Sequence, residues 1–221
     1  DLIYFIHPVR SSLAEVPTGL APSSASETSN GVQTNQQITA GLSFKLNYEK
    51  SSVPFRLTSA LGRHQVYAVL AAAAAGLHFG MNMVEISQAL EKMEFPKQRM
   101  KLERGIKNSW IIDDTYNASP LSTHAALDTL KEFGDKVIVK TEVGRKIAVL
   151  GDMKELGIFT EKAHRLVGNL AGERTEYLFT VGPAAKFIAD SAFNQLPKEN
   201  IMTFDNSDEA GEYLKNFIKE G

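Results

Sequence analysis

The sequence predicts an α/β fold, because strand-like and helix-like segments alternate along the chain after residue 98. Short apolar runs are typical of buried strands, and longer segments with an apolar period near 3.6 residues are typical of the helices that cover them. Such alternation favours a mainly parallel, Rossmann-like sheet with helices packed on it. The predicted strands are Trp110–Asp113, Lys146–Leu150, Tyr177–Val181 and Ile201–Phe204. The predicted helices are Leu121–Phe133, about Glu161–Ala171, Ala184–Asn194 and Asp208–Lys219.

A first domain is predicted for residues 1–97 and a second for residues 98–221, with the boundary at the Pro96–Gln98 segment. The first domain begins with a short apolar strand, continues through a polar, Ser- and Thr-rich loop at 11–37, and then forms a β-hairpin and two helices. The first of these helices is apolar on all sides, which is typical of a buried helix. The predicted elements of this domain are Leu2–Ile6, Ile38–Tyr48, Val53–Leu57, Val66–Leu77 and Met83–Met93.

The segment Asp135–Glu142 contains the apolar run Val137-Ile138-Val139, which fits a further short strand. The pattern leaves open whether this strand forms.

Composition excludes several classes of site and partner. The net charge of -2 provides no general attraction to nucleic acid or to an anionic membrane. The sequence contains no cysteine, which excludes disulfides and thiolate metal sites and fits a cytoplasmic protein. No apolar run reaches the roughly 20 residues that a membrane-spanning helix needs. We therefore expect a cytoplasmic protein with neither nucleic acid nor membrane as a partner. We also expect a monomer, although composition does not determine the oligomeric state.

The strongest candidate site follows the strand that starts at Trp110. Asp113 and Asp114 end this strand, a short polar turn follows, and Ser119 and Pro120 suit the cap and first position of the next helix. Open α/β sheets bind ligands where a strand leads through a turn into a helix, because free N–H groups point into the crevice. Two carboxylates in this place suit ribose hydroxyls or a metal ion; alternatively, they only cap the strand end. A dinucleotide is not expected, because the G-x-G-x-x-G motif is absent.

The sequence of this turn, Asp-Asp-Thr-Tyr-Asn-Ala-Ser-Pro at Asp113–Pro120, resembles a motif of the Mur ligases of peptidoglycan synthesis. Three further segments resemble motifs of the same family in the same order: Gly62–Tyr67, Gln98–Glu103 and Lys146–Gly157. The resemblance implies that residues 1–97 form the later part of the family's central, ATP-binding domain. It implies that residues 98–221 form most of its Rossmann-like C-terminal domain.

The resemblance also implies ATP-dependent amide formation through an acyl phosphate. ATP and Mg²⁺ would be the cofactors, and UDP-N-acetylmuramoyl-tripeptide and D-alanyl-D-alanine the substrates, of the full-length enzyme. The sequence lacks the family's P-loop, G-x-x-x-x-G-K-[ST], and stops before its K-G-S-R segment, so we expect a piece of a ligase that is inactive alone. Two alternatives stay open: a piece of the tripeptide-forming family member, and a non-catalytic nucleotide-binding or regulatory module. The run Tyr116–Pro120 favours the dipeptide-adding member.

The resemblance assigns five residues to the nucleotide. His64 and Gln65 lie where the family holds adenine, although Gln65 is one methylene longer than the usual asparagine; a polar helix start is the alternative. Arg99 matches an interdomain arginine that reaches the phosphates, since its planar fork suits phosphate oxygens; a solvated linker arginine is the alternative. Asp114 matches an aspartate that binds ribose hydroxyls, and Tyr116 lines the cleft.

Four further residues are assigned by the resemblance to the amino-acid or dipeptide side: Asn117, Ser119, Asp152 and Glu155. For Asp152 and Glu155 a charged loop is the alternative. No residue is assigned as catalytic or as a metal ligand. His164 lies within a predicted helix, and a lone helical histidine is more often a surface or hydrogen-bonded core residue than an acid–base catalyst.

Overall fold

The computed structural model describes residues 2–6, 41–58, 61–141 and 144–219. The predicted loop at 11–37 and residues 38–40 of the first predicted hairpin strand lie outside these residues. The described strands and helices, in chain order, are β1 Leu2–Ile6, β2 Leu42–Tyr48, β3 Ser51–Leu57, α1 Gln65–His78, α2 Met83–Glu91, β4 Lys101–Arg104, β5 Trp110–Asp114, α3 Pro120–Thr141, β6 Lys146–Gly151, α4 Thr160–Arg174, β7 Tyr177–Val181, α5 Lys186–Ala192, β8 Ile201–Phe204 and α6 Ser207–Phe217. Short 3₁₀ turns lie at Ile106–Asn108, Gly157–Phe159 and Lys198–Asn200.

The large sheet contains six strands in the order β4-β5-β1-β6-β7-β8. Strand β4 runs antiparallel to β5, and the other neighbouring pairs are parallel. The predicted α/β class with a mainly parallel sheet is therefore confirmed. The carboxyl ends of the parallel strands lie at one edge of the sheet, which places the turns after β5, β6 and β7 along that edge, with the end of β1 between those of β5 and β6.

Strand β1 lies between β5 and β6 and pairs with both over its whole length. This pairing differs from the predicted division, which grouped all of residues 1–97 in the first domain. The apolar run Leu2–Ile6 suits the position, because a central strand of a parallel sheet is covered on both faces. The boundary near residue 98 stays a prediction for the rest of the chain.

Helices cover both faces of the large sheet. Helices α3, α4 and α5 contribute Leu130, Val167 and Ile188 to one core, together with Ile112 of β5. On the other face, α6 packs Leu214 against an apolar cluster of β6 and β7. The sheet is therefore the middle layer of three, as its apolar strands require.

A smaller unit is formed by the β2–β3 hairpin with helices α1 and α2. Its core contains Phe55, Val69, Ile86 and their neighbours. The prediction that α1 is buried on all sides is wrong, because only Val69 and Ala73 of this helix are buried and Tyr67 is 77% exposed. The hairpin and α2 cover one side of the helix only.

Helix α3 runs well past its predicted end at Phe133 and continues to Thr141. The segment 135–141, for which a short strand was left open, is therefore helical. An apolar run of this length suits a buried strand and a buried helix equally, and the helix already in progress continues through it.

Candidate functional site

The turn after β5 is held by its first carboxylate. Asp113 Oδ1 accepts hydrogen bonds from the Thr115 backbone N–H at 3.1 Å and from the Thr115 hydroxyl at 2.7 Å. Asp113 therefore closes a local turn of the kind that aspartate favours. Of the two predicted carboxylates, this one acts within its own turn.

Asp114 differs, because its side chain contacts a distant part of the chain. It is 8% exposed, and its Oδ1 accepts a hydrogen bond from the Met100 backbone N–H at 3.1 Å. Met100 belongs to the connection between the small unit and the large sheet. A buried carboxylate that receives a backbone N–H is stabilised by a charge-assisted hydrogen bond.

Arg99 and Tyr116 lie beside this bond. The Arg99 guanidinium carbon is 3.9 Å from the centre of the Tyr116 ring, a cation–π contact. The Tyr116 backbone N–H donates to the Gln98 carbonyl at 3.2 Å, which brings the connection and the turn together. Tyr116 is 63% exposed, so the stacked pair faces solvent. Three of the residues predicted for the nucleotide are thus brought to one place.

The start of helix α3 is capped as predicted. The Ser122 backbone N–H donates to Ser119 Oγ at 3.2 Å, and the Ser119 N–H donates to Ser122 Oγ at 3.0 Å. Pro120 occupies the first helical position. Asn117 Oδ1 accepts from the adjacent Ala118 N–H at 2.9 Å. Asn117 and Ser119 therefore shape the turn at the helix start, next to Tyr116.

His64 and Gln65 stand at the start of α1, and their side-chain nitrogens lie 3.4 Å apart. Partial burial lowers the pKa of the His64 imidazole below its ordinary value. Gly62 precedes them with φ +91, a backbone conformation that residues with a side chain rarely adopt, and a Cβ there would lie 2.6 Å from the His64 ring.

The start of α1 is linked to the connection that carries Arg99 through Leu61, whose N–H donates to the Met100 carbonyl at 3.4 Å. Arg63 forms an exposed ion pair with Glu132 of α3 at 3.1 Å. His64 and Gln65 therefore enter the same region of the molecule as Asp114, from the small unit.

Asp152 follows β6 and accepts hydrogen bonds from the segment that connects β7 to α5. Its Oδ1 accepts from the N–H groups of Ala184 at 3.0 Å and Ala185 at 2.8 Å, just before α5. Gly182, with φ +106, lies so close that a Cβ would be 2.6 Å from Asp152 Oδ1. The carboxylate therefore joins the ends of β6 and β7. Glu155, three residues later, is exposed and has a left-handed backbone with φ 63.

His164 of α4 is fully buried and has a partner on each ring nitrogen. Nε2 accepts from the Met153 N–H at 2.9 Å, and Nδ1 lies 2.7 Å from the Thr160 carbonyl. Since a carbonyl only accepts, Nδ1 carries the proton and the ring is the neutral Nδ1–H tautomer. Of the two alternatives that the sequence left open, a surface residue and a hydrogen-bonded core residue, His164 is the second. Its link to the loop after β6 was not predicted, because no sequence spacing signals it.

Within the described part of the chain, no three His, Asp or Glu side chains come together as a metal site. Among the same residues, no helix has both the length and the apolar character needed to cross a membrane.

The cluster of Arg99, Asp114 and Tyr116 offers a guanidinium, a carboxylate and an exposed aromatic ring. These are groups suited to phosphate, to hydroxyls and to a flat ring, respectively.

Comparison with known proteins gives a family for this arrangement. Residues 98–221 match the family model described as "Mur ligase, glutamate ligase domain". The chain belongs to the Mur ligase family. The matched region begins at the connection that carries Arg99 and contains β4–β8 and α3–α6.

Among curated relatives of this Mur ligase chain is the UDP-N-acetylmuramoyl-tripeptide–D-alanyl-D-alanine ligase of Bacillus subtilis, 30% identical over 162 residues, 73% of this chain and 34% of the relative. The Escherichia coli ligase of the same name is 32% identical over 139 residues, 62% of this chain and 28% of the relative. A crystal structure of MurF from Acinetobacter baumannii matches with a TM-score of 0.67 and 29% identity, covering 80% of this chain and 36% of that one. The chain thus spans about a third of the length of these relatives.

Proposed function

We propose that this chain is part of a ligase that joins D-alanyl-D-alanine to UDP-N-acetylmuramoyl-tripeptide at the expense of ATP. The proposal is supported by the names of the relatives, and by the meeting of Arg99, Asp114 and Tyr116 at the carboxyl end of the sheet. In this reaction ATP phosphorylates the tripeptide carboxylate, the dipeptide amine attacks the acyl phosphate, and ADP and phosphate leave. A protein accelerates such a reaction mainly by positioning and by neutralising charge.

The nucleotide side of the site is proposed from five residues. Arg99 would contact phosphate oxygens, for which its planar fork is suited. Asp114 would accept from ribose hydroxyls, and Tyr116 would stack beside them. His64 and Gln65 would contact the adenine ring from the start of α1. The observation that carries this assignment is the 3.9 Å stack of Arg99 on Tyr116 beside the buried Asp114 carboxylate.

The dipeptide side is proposed from the turns after β5 and β6. Asn117 and Ser119 would face the substrate from the start of α3, while keeping the turn in shape. The exposed Glu155 carboxylate would attract the dipeptide ammonium group. Asp152 already accepts two backbone N–H groups, so we propose that it holds the loop that carries Glu155.

ATP-dependent ligation also requires Mg²⁺, which neutralises phosphate charge when bound. The described residues contain no carboxylate or histidine cluster that fits a metal ion. We therefore assign no residue of this chain to Mg²⁺ and derive no step from it. The P-loop motif is absent from the sequence, so we expect this chain alone to release no ADP when given both substrates.

Calorimetric titration of the full chain with ADP tests the nucleotide assignment. Arg99→Ala and Asp114→Ala should each weaken binding by about tenfold, the effect of losing one contact of roughly 1.4 kcal/mol. Arg104→Ala is a matched control, because Arg104 also stacks on an aromatic ring, that of Trp110 at 3.5 Å, but at the opposite end of β5. Equal losses in Arg104→Ala and Arg99→Ala, or no binding of ADP at millimolar concentration, would contradict the assignment.

A further inference from the structure

The connection at residues 98–100 is fixed to both parts of the molecule by backbone hydrogen bonds. The Gln98 carbonyl accepts from the Tyr116 N–H, and the Met100 carbonyl accepts from the Leu61 N–H. The third bond, from the Met100 N–H to Asp114 Oδ1, is the one made by a side chain. A three-residue segment is thus held at each of its ends.

The backbone of this segment is strained. Gln98 has φ 61 and Met100 has φ 52, left-handed values that residues with a side chain adopt rarely. Such conformations persist only where the surroundings fix them. Here the Met100 side chain is 1% exposed and packs in the core with Leu61 and Ile112.

The left-handed backbone at Gln98 and Met100 sets the direction of the Arg99 side chain between them. Arg99 is exposed and turns outward, and its guanidinium lies over the Tyr116 ring. The Asp114 bond to Met100 is adjacent to Arg99 in the chain, so a change at Asp114 would reach Arg99 through one peptide unit. Asp113, the neighbouring carboxylate, instead bonds to Thr115.

We propose that Asp114 is a positioning residue for Arg99. Its carboxylate holds the Met100 N–H, keeps residues 98–100 in the left-handed conformation, and so keeps the Arg99 guanidinium over Tyr116 at the edge of the site. This inference rests on the proposed nucleotide function for the importance of Arg99, but the geometry itself is tested without a nucleotide. Asp114 then contributes to nucleotide binding through Arg99 as well as by any direct contact.

The first experiment compares Asp114→Ala with Asp114→Asn by NMR in the full chain. Asparagine keeps an Oδ1 acceptor for the Met100 N–H, and alanine does not. In Asp114→Ala we expect exchange of the Met100 amide to accelerate by about tenfold or more. We also expect the Arg99 δ-methylene protons to lose the upfield shift caused by the Tyr116 ring. Asp114→Asn and the control Asp113→Ala should keep both signals. Asp114→Leu, similar in shape and without an acceptor, replaces the alanine variant if that one does not fold.

The second experiment is a double-mutant cycle on ADP affinity with Arg99→Ala and Asp114→Ala. If Asp114 acts partly through Arg99, the double variant should lose clearly less than the product of the two single losses, which is about 100-fold. Losses that multiply to about 100-fold would show independent contacts and overturn the proposal. An unchanged Arg99 signal in Asp114→Ala would overturn it as well. Absence of ADP binding in the unchanged chain would contradict the proposed function only, because the NMR comparison still decides the positioning role.

Discussion

At the scale of single residues, backbone N–H groups decide what the polar side chains of this sheet edge do. Asp152 receives two of them and His164 receives one, so both side chains fix loops. Asp114 receives one from a segment that is distant in sequence. A carboxylate after a parallel strand is therefore not by itself evidence for a ligand. Asp114 differs from Asp152 and His164 because it lies beside Arg99, which is stacked on the exposed Tyr116 ring.

Thr180 provides a test of hydrogen bonding in the interior. Its hydroxyl is buried and, within the described part of the chain, has no hydrogen-bond partner. Thr180→Val keeps the shape and removes the unpaired hydroxyl, so we expect the free energy of unfolding to rise by about 1 kcal/mol in urea titrations. The matched control is Thr175→Val, because the Thr175 hydroxyl donates to the Ala171 carbonyl at 2.9 Å. This control should lower the free energy of unfolding by about 1 kcal/mol; a loss in Thr180→Val as well would contradict the expectation.

At the scale of elements, the sequence predicted most of the helices and strands of the large sheet. Strands β7 and β8 have their predicted bounds, and α4 and α6 begin within a residue of theirs. The strong apolar runs explain this success, since buried parallel strands are nearly continuous in Val, Ile, Leu and Phe. The end of α3 was not predicted, because the run Val137-Ile138-Val139 suits either structure. The exposure of α1 was not predicted, because composition does not indicate how many neighbours a helix has.

Lys146 joins three elements and gives a prediction about pH. Its Nζ lies 2.6 Å from Asp135 Oδ1 of α3 and 3.2 Å from Glu176 Oε1, just before β7. Burial alone would lower the pKa of the Lys146 ammonium group, but its hydrogen bonds and ion pairs with Asp135 and Glu176 outweigh this and raise it above the ordinary 10.5. A raised pKa means that the folded state holds the proton more tightly than the unfolded state. The stabilisation is therefore complete below pH 10.5 and is lost as pH rises through the folded-state value.

We expect Lys146→Met to be less stable than the unchanged chain by up to about 1 kcal/mol at pH 8, because both partners are half exposed. The difference should shrink as pH rises above 10.5. Urea titrations from pH 8 to pH 12 measure it, and every other titratable side chain is common to both proteins. Lys186→Met is the control, because the Lys186–Asp205 pair is well exposed. Its loss should lower the free energy of unfolding by less than about 0.5 kcal/mol. A difference that stays constant or grows above pH 10.5 would contradict the expectation.

At the scale of the whole molecule, the small unit and the large sheet share part of a core. Leu61, which precedes α1, is 6% exposed and packs with Met100 and Ile112. The order of motifs in the sequence predicted that Arg99, Asp114 and Tyr116 belong to one site. It did not predict that Asp114 bonds to Met100 or Asp152 to Ala184, because these partners are 14 and 32 residues apart and no local period connects them. Long-range hydrogen bonds of this kind follow from the fold and not from the pattern.

The position of β1 leads to the last prediction. This strand separates β5 from β6, which pair with it on either side in parallel register. Without it, backbone groups of buried residues on both neighbours, such as Ile112 and Ala148, would lose their partners, and each unpaired group costs roughly 1–3 kcal/mol. Ile3→Pro removes one N–H of the ladder from the centre of this strand, where proline is not tolerated.

We therefore expect Ile3→Pro to lower the free energy of unfolding by about 3 kcal/mol or more, and deletion of residues 1–6 to remove the cooperative transition of the large sheet. Trp110, the only tryptophan of the sequence, lies on β5 opposite Leu2 and reports this transition by fluorescence in urea. Lys45→Pro, in the two-stranded sheet, is the control and should shift the Trp110 transition by no more than about 1 kcal/mol, because β2 pairs only with β3 among the described strands. An unchanged Trp110 transition after deletion of residues 1–6 would mean that β5 and β6 close on each other, and that the sheet does not depend on its central strand.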